Sequence, residues 1–307
     1  MAQSGPSHVR IPIFVIPNQT RKMAGRFKVA LCQLAVGDVK ATNIARAKAA
    51  VEEAARAGAQ VVSLPECWNS PYATTSFPQY AEEIPATALV NEKDHPSTHM
   101  VLSLAKSLGI YLVGGSIPER DAGKVYNTCV VAGPDGALLT KHRKVHLFDI
   151  DVPGKITFKE SDTLSAGSQV TVFDTPWCKI GVGICYDIRF PELSMLMKNA
   201  GAKFLMFPGA FNLTTGPAHW ELLQRARAVD NQLYVAATSP ARGPEGGYQA
   251  WGHSSIVSPW GEVIATTEHT EAIVYGDIDI AQADEMRRNI PTTLQTRTDL
   301  YKLERLA

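Results

Sequence analysis

The sequence predicts an α/β protein, a four-layer α-β-β-α sandwich with an internal pseudo-two-fold repeat. Three observations carry this. Two stretches repeat nearly the same words, Ala57-Gly-Ala-Gln-Val-Val-Ser-Leu-Pro65 and Ala200-Gly-Ala-Lys-Phe-Leu-Met-Phe-Pro208, and such self-similarity marks a duplicated architecture. The short strands around them are apolar on both faces, so each sheet needs cover on both sides. The segment between the halves, residues 158–174, is no Ser/Gly linker and still carries Leu164, Val170 and Val172. Two sheets packed face to face with helices outside suit this pattern better than two separate domains.

Each half reads β-α-β-α-β-β-β. Lys28-Val-Ala-Leu-Cys-Gln-Leu34 and Lys179-Ile-Gly-Val-Gly-Ile-Cys185 are apolar runs of strand length. A helix follows the first, opened by Thr42 as cap, with Ile44, Ala47, Val51, Ala54 and Ala55 on one stripe and Glu52 placed to pair Arg56. The matching helix starts at Pro191, a favoured first helical position. Gly58 and Gly201 end these helices, and Pro65 and Pro208 stop the strands that follow. Second helices are expected near residues 97–108 and 219–229, then strands at 111–117 and 234–238. Each half closes with a hairpin, turning at Gly133-Pro-Asp-Gly136 and Ser258-Pro-Trp-Gly261. Residues 26–307 are expected to form one domain.

Composition narrows the function. Hydrophobic residues make up 45% and charged residues 20% of the 307, the balance of a chain that buries a core. Thirty basic and thirty acidic side chains cancel, so no long-range field gathers nucleic acid or anionic lipid, and neither is expected as a partner. The apolar run Ile11 to Ile16 is far too short to span a bilayer. Five cysteines, an odd number with no CxxC pair, argue against a disulfide framework or zinc knuckle and for reduced thiols in the cytoplasm. Residues 1–25 read as a leader or disordered tail. Arg10, Arg21 and Lys22 precede the first acidic residue, Asp38, which resembles a mitochondrial or plastid transit segment. The competing reading is a tail ahead of a true start at Met23.

Functional groups gather at the carboxyl ends of parallel strands. Glu66 stands there after Leu64-Pro65, Cys185 at the end of a strand over residues 180–184, and Lys144 at the end of a hairpin strand. A thiol at a strand-to-helix turn can attack a carbonyl, a nearby carboxylate can take its proton, and an ammonium can hold the oxygen that turns negative. Taken singly, each residue has a blander reading: an inert buried cysteine, a solvated loop glutamate, one lysine of a basic run. His142 and His146 lack a third metal ligand, and nothing near His219 or His253 reads like a cysteine-protease base. Gly181-Val-Gly183 lacks the third glycine of a dinucleotide loop. No metal or organic cofactor is expected.

The words Leu64-Pro-Glu-Cys67, His142-Arg-Lys-Val-His146 and Gly183-Ile-Cys-Tyr-Asp-Ile-Arg-Phe190 resemble, in order, the three signature segments of the nitrilase, or carbon–nitrogen hydrolase, family. The resemblance runs from about Arg26 to Tyr301. It implies the same sandwich, a Glu66–Lys144–Cys185 triad, Glu160 orienting Lys144, the Tyr186 backbone N–H as a second oxyanion donor, and a homodimer. Residues 148–158 and 208–232 are similar to the family's omega-amidase branch. That implies hydrolysis of a small keto-acid amide, α-ketoglutaramate or α-ketosuccinamate, with Arg189 pairing its carboxylate and Phe211, Thr215 and Tyr72 lining the pocket. An ion pair of Arg189 with Asp187 or Glu192 is the competing reading. Two departures stand out: a longer segment at 86–96, and Trp68 in place of Phe. A sibling amidase for deaminated glutathione or N-carbamoyl substrates fits the same triad. A non-catalytic scaffold would have no need to keep all three groups.

Overall fold

The computed structural model describes residues 25–243 and 245–306. Apart from Gly25, the expected leader lies outside them. The first half supplies β1 (Arg26–Gln33), α1 (Lys40–Arg56), β2 (Val61–Ser63), α2 (Pro96–Leu108), β3 (Tyr111–Val113), β4 (Ile117–Asp121), β5 (Lys124–Ala132) and β6 (Leu138–Arg143). A small hairpin, β7 (Asp149–Val152) and β8 (Ile156–Lys159), leads into the second half. There follow β9 (Thr171–Asp174), β10 (Lys179–Val182), α3 (Pro191–Asn199), β11 (Ala202–Pro208), α4 (Gly216–Asn231), β12 (Tyr234–Thr238), β13 (Ser255–Val257) and β14 (Val263–Thr266), then β15 (Ala272–Asp279) and α5 (Ile280–Asn289).

Two sheets result. One runs β15-β1-β2-β3-β5-β4, with β6 also paired to β5, and the other β14-β13-β12-β11-β10-β9. At the centre of each, three strands run parallel, β1-β2-β3 and β10-β11-β12. Strand alternation sorts the apolar residues between layers. Val29, Leu31, Val61, Val113 and Val131 share one core with Ile180, Val182, Phe204 and Met206 of the other sheet. Their neighbours Ala30, Cys32, Val62, Leu112 and Val130 pack instead with Ala47, Val51, Val101 and Ala105 of α1 and α2. Leu193, Met197, Trp220 and Ala228 bring α3 and α4 onto the second sheet. The expected α-β-β-α layering is what forms. No helix among the described residues is long and apolar enough to cross a membrane.

Several details differ from expectation. Helix α1 begins at Lys40 with Val39 as its uncapped lead residue, so Thr42 lies inside it. The entry turn is held instead by Asn43, whose side chain bonds Gly37 N and O at 2.9 and 2.8 Å. Glu52 pairs Lys48 at 4.0 Å and not Arg56. The strand expected at 111–117 breaks after Val113. Gly115 there has φ +61°, and a Cβ on it would lie 2.2 Å from Pro65 O, so the chain must bend to let the two backbones touch. Strand β10 stops at Val182, short of residue 184. Both hairpins turn where expected, with Gly136 N on Gly133 O and Gly261 N on Ser258 O at 2.9 Å each. The first half does not close its own sheet. β15 returns from the far end of the chain and pairs antiparallel with β1, from Arg26 opposite Asp279 to Gln33 opposite Ala272. The matching place beside β10 is taken by β9, out of the supposed connector.

Candidate active site

The repeat brings the carboxyl ends of the two central strand sets together, and Glu66 joins them. Its Oε1 accepts Lys144 Nζ at 2.9 Å and Asn127 Nδ2 at 2.8 Å. Its Oε2 accepts the backbone N–H of Ala210, just past β11 in the other sheet, at 2.8 Å. Lys144 sits one residue beyond β6, its own N–H tied to Asn127 O at 2.8 Å. The ammonium also donates to Glu160 Oε1 at 2.9 Å. Glu160 is held in turn by Tyr72 OH and by the Phe148 N–H, both at 2.8 Å. Cys185 opens a short 3₁₀ turn, Cys185–Arg189, in the left-handed region at φ +48°. Backbone from the end of the neighbouring strand β11 comes so close that a Cβ on Gly209 would lie 3.2 Å from Cys185 Cα. Glu66, Lys144, Glu160 and Cys185 are all 3% exposed or less.

Burial sets the protonation pattern. It pushes the Glu66 carboxyl above the usual range; Lys144 opposes this and the Glu160 charge adds to it. It works against the Lys144 ammonium too, but the Glu160 and Glu66 carboxylates outweigh it and hold that pKa well above ordinary lysine. The Cys185 thiol is raised well above its usual value by burial, and the Glu66 charge adds to the rise. Burial thus disfavours the thiolate and makes the Glu66 carboxyl more basic than usual, beside an ammonium held charged by its two neighbours. The ammonium bridges the two carboxylates. His253, Glu268 and His269, which are grouped closely enough to ligate an ion, belong to another part of the surface.

A cavity of about 420 Å³ reaches Glu66, bordered by Cys67, Pro71, Tyr72, Ala210 and Tyr248. The Tyr72 and Tyr248 rings stand 4.4 Å apart, and Tyr248 OH donates to Ala210 O at 2.5 Å. Tyr72 therefore both borders the cavity and orients Glu160. Arg189, Phe211, Thr215 and Cys185 are not on this wall. The Arg189 guanidinium lies 4.8 Å from the Phe211 ring centre and 5.6 Å from that of Tyr186, with His219 Nδ1 at 3.2 Å from its Nη1. Among the described residues it has no carboxylate partner: Asp187 is taken by His142 and His146, and the Glu192 charge acts on Arg227. Thr215 bonds Asn212 Oδ1 through its N–H and hydroxyl at 2.9 and 3.2 Å, holding the loop ahead of α4 rather than facing the cavity. The longer segment at 86–96 meets the β5–β6 turn, where Leu138 N donates to Thr87 Oγ1 at 2.9 Å, away from Glu66. Trp68 satisfies its indole N–H on Gly114 O at 2.7 Å.

Three sets of residues around the site escaped the sequence reading. Asn127 is a buried polar residue inside an apolar strand, a signal that could have flagged it. Tyr248 directly follows the Gly-rich segment 243–247, where no periodicity points anywhere. His142 and His146, which lack a third metal ligand in the sequence, converge on a single buried carboxylate, Asp187.

Known proteins with this sequence pattern agree in extent and fold. The carbon-nitrogen hydrolase family profile matches residues 28–288. An omega-amidase NIT2-A of Xenopus laevis is 59% identical over 279 residues, 91% of this chain and 98% of its own. The human omega-amidase NIT2 is 58% identical over 278 residues, with the same shares covered. The crystal structure of Saccharomyces cerevisiae Nit3, a member of branch 10 of the nitrilase superfamily, superposes with a TM-score of 0.81 at 44% identity, covering 89% of this chain and 97% of that one. The Caenorhabditis elegans NitFhit protein does so at 0.75 and 32%, covering 91% and 67%. From its strand order to the residues at its strand ends, the chain belongs to the carbon–nitrogen hydrolase family.

Proposed function

We propose that the chain is an omega-amidase, hydrolysing the terminal amide of α-ketoglutaramate and α-ketosuccinamate to the dicarboxylate and ammonia through a Cys185 thioester. The observation that carries the chemistry is one ammonium, Lys144, held 2.9 Å from each of two buried carboxylates in a site shared with a buried thiol. The substrate class is supported by relatives named omega-amidases at 58–59% identity along nearly the whole chain. A half-buried guanidinium with no carboxylate partner among the described residues, Arg189, suits the free carboxylate of such a substrate.

Glu66 takes the Cys185 proton as Sγ bonds to the amide carbon. The carbonyl electron pair moves onto oxygen, held by Lys144 Nζ and the Tyr186 N–H. The C–N bond then breaks as Glu66 passes its proton to the departing nitrogen, leaving ammonia and a thioester. Water adds to the thioester while Glu66 takes its proton. The tetrahedral carbon expels the Cys185 sulfur, which recovers that proton from Glu66. Glu160, fixed by Tyr72 and Phe148 N, keeps Lys144 charged and aimed throughout. Ammonia release from α-ketoglutaramate by the purified protein tests this. Cys185→Ala should fold and release none, and Cys67→Ala should keep most of the activity. Mass spectrometry of a trapped acyl-enzyme should place the adduct on Cys185, and an adduct on any other cysteine overturns the assignment.

A further inference from the structure

The segment carrying Lys144 and the turn carrying Cys185 come from opposite halves of the repeat, and one carboxylate fastens them together. Asp187 is fully buried. Its Oδ2 accepts the Ile184 N–H at 2.9 Å, and its own N–H donates back to Ile184 O at 3.0 Å. These bonds close the turn around Cys185. The same Oδ2 meets His142 Nε2 at 3.0 Å. Oδ1 meets His146 Nδ1 at 2.8 Å and accepts the His146 backbone N–H at 2.9 Å. His142 and His146 flank Lys144 by two residues on either side. The far nitrogen of His142 lies 2.9 Å from Thr171 Oγ1, and the His146 ring stacks on Phe190 at 3.6 Å and 8°. Each ring presents one nitrogen to Asp187 within hydrogen-bond distance.

We infer that Asp187, gripped by His142 and His146, is a positioning residue that sets the Cys185 sulfur in register with Glu66 and the Lys144 ammonium. The inference rests on the catalytic roles proposed above for Cys185 and Lys144. The geometry explains why both histidines lie in the Lys144 segment: the ammonium is pinned from both sides to the turn whose intermediate it must stabilise. Arg227 of α4 donates to the Ile188 and Arg189 carbonyls at 2.8 and 3.1 Å and so fixes the far end of the turn with Arg189, whereas a slip at its Cys185 end spoils the angle of attack, and displacement by about 1 Å costs on the order of a hundredfold in rate.

His146 is the best handle because it is partly exposed and its ring stacking can be kept. His146→Phe preserves the stack on Phe190 and removes the ring donor. In His146→Asn the side-chain amide can put an N–H where Nδ1 was. Asp187→Asn removes the carboxylate itself. The readouts are kcat and KM for α-ketoglutaramate per titratable Cys185, the rate of Cys185 alkylation by iodoacetamide, and Tm. His146→Phe should lower kcat at least about tenfold with KM within about twofold, slow alkylation in step, and leave His146→Asn within about threefold of wild type. Asp187→Asn should lose more than His146→Phe. Wild-type kcat per thiol in His146→Phe, whatever its Tm, overturns the inference, as does a His146→Asn variant no better than Phe. Full activity in Cys185→Ala would instead bring down the catalytic reading beneath it, so the two failures are told apart.

Discussion

Glu66 handles every proton in the proposed cycle, and its surroundings set the pH at which it can do so. Its carboxyl is raised by burial, so the base form is lost at a higher pH than for free glutamate, near 4.3. The acid limb of kcat/KM should accordingly show an apparent pKa above that value, with activity low below it and full above. Lys144, held upward, should add no alkaline fall near neutral pH. A limb at or below the free-glutamate value would contradict this. The stability sign follows: a carboxyl raised in the folded state contributes stability at low pH that is lost as pH rises through its folded pKa. Glu66→Gln should thus abolish turnover at neutral pH without lowering Tm, which calorimetry checks. Arg189 carries the specificity claim. A charge-assisted contact is worth roughly 1.5–3 kcal/mol, and the buried substrate carboxylate left unpaired adds to the loss. Arg189→Ala should lower kcat/KM for α-ketoglutaramate at least about a hundredfold. A neutral amide of similar length should lose far less; equal loss on both would mean Arg189 only supports the loop.

At the scale of elements, the strand ends decide everything, and glycines decide how near they come. Gly58, behind α1, has φ +87° with nothing within 4 Å of an added Cβ. Gly58→Ala should cost only the left-handed backbone penalty, about 1–2 kcal/mol, with turnover per folded molecule unchanged. Gly115→Ala meets Pro65 O at 2.2 Å and Trp68 at 2.7 Å. It should cost more, roughly 2–4 kcal/mol in urea unfolding, and lower turnover as well by shifting Pro65 and Glu66. Equal costs for the two would show that the Pro65 contact relaxes freely. These elements were unevenly legible. The words at 57–65 and 200–208 located β2 and β11, and with β2 Glu66, while the run 179–185 located β10 and with it Cys185, because buried parallel strands are written as unbroken apolar runs. The start of α1 was not, since the Asn43 side chain does from inside the helix what a cap residue does from its edge. Nor was the convergence of His142 and His146 on Asp187, because contacts between halves leave no local period in sequence.

For the whole molecule, duplication made the layering readable, while the partner of each sheet edge was not: nothing in residues 272–279 says which of two similar sheets they join. Association can be argued from the surface. We propose a homodimer, the commonest closed assembly. Leu294, Leu300, Tyr301 and Leu306 stand 63–89% exposed in a C-terminal stretch apart from both sheets, which an apolar partner surface would cover. Light scattering should give about twice the 33.3 kDa chain mass and a lower value after deletion of residues 291–307. A lasting monomer of the full chain at micromolar concentration would count against the dimer.

The pairing of β1 with β15 also bears on how the chain is made. β1 leaves the ribosome long before its antiparallel neighbour β15. At about 5–20 residues per second, roughly 10–50 seconds of synthesis separate Gln33 from its partner Ala272. Throughout that interval one flank of β1, eight residues long with an apolar centre, offers unpaired backbone groups to any strand nearby. The first sheet is thus the earlier to begin and the later to be finished. A ribosome stalled before residue 272 should hold a nascent chain that recruits chaperones and resists neither protease nor self-association, and emergence of Ala272–Asp279 should end that state in a single step.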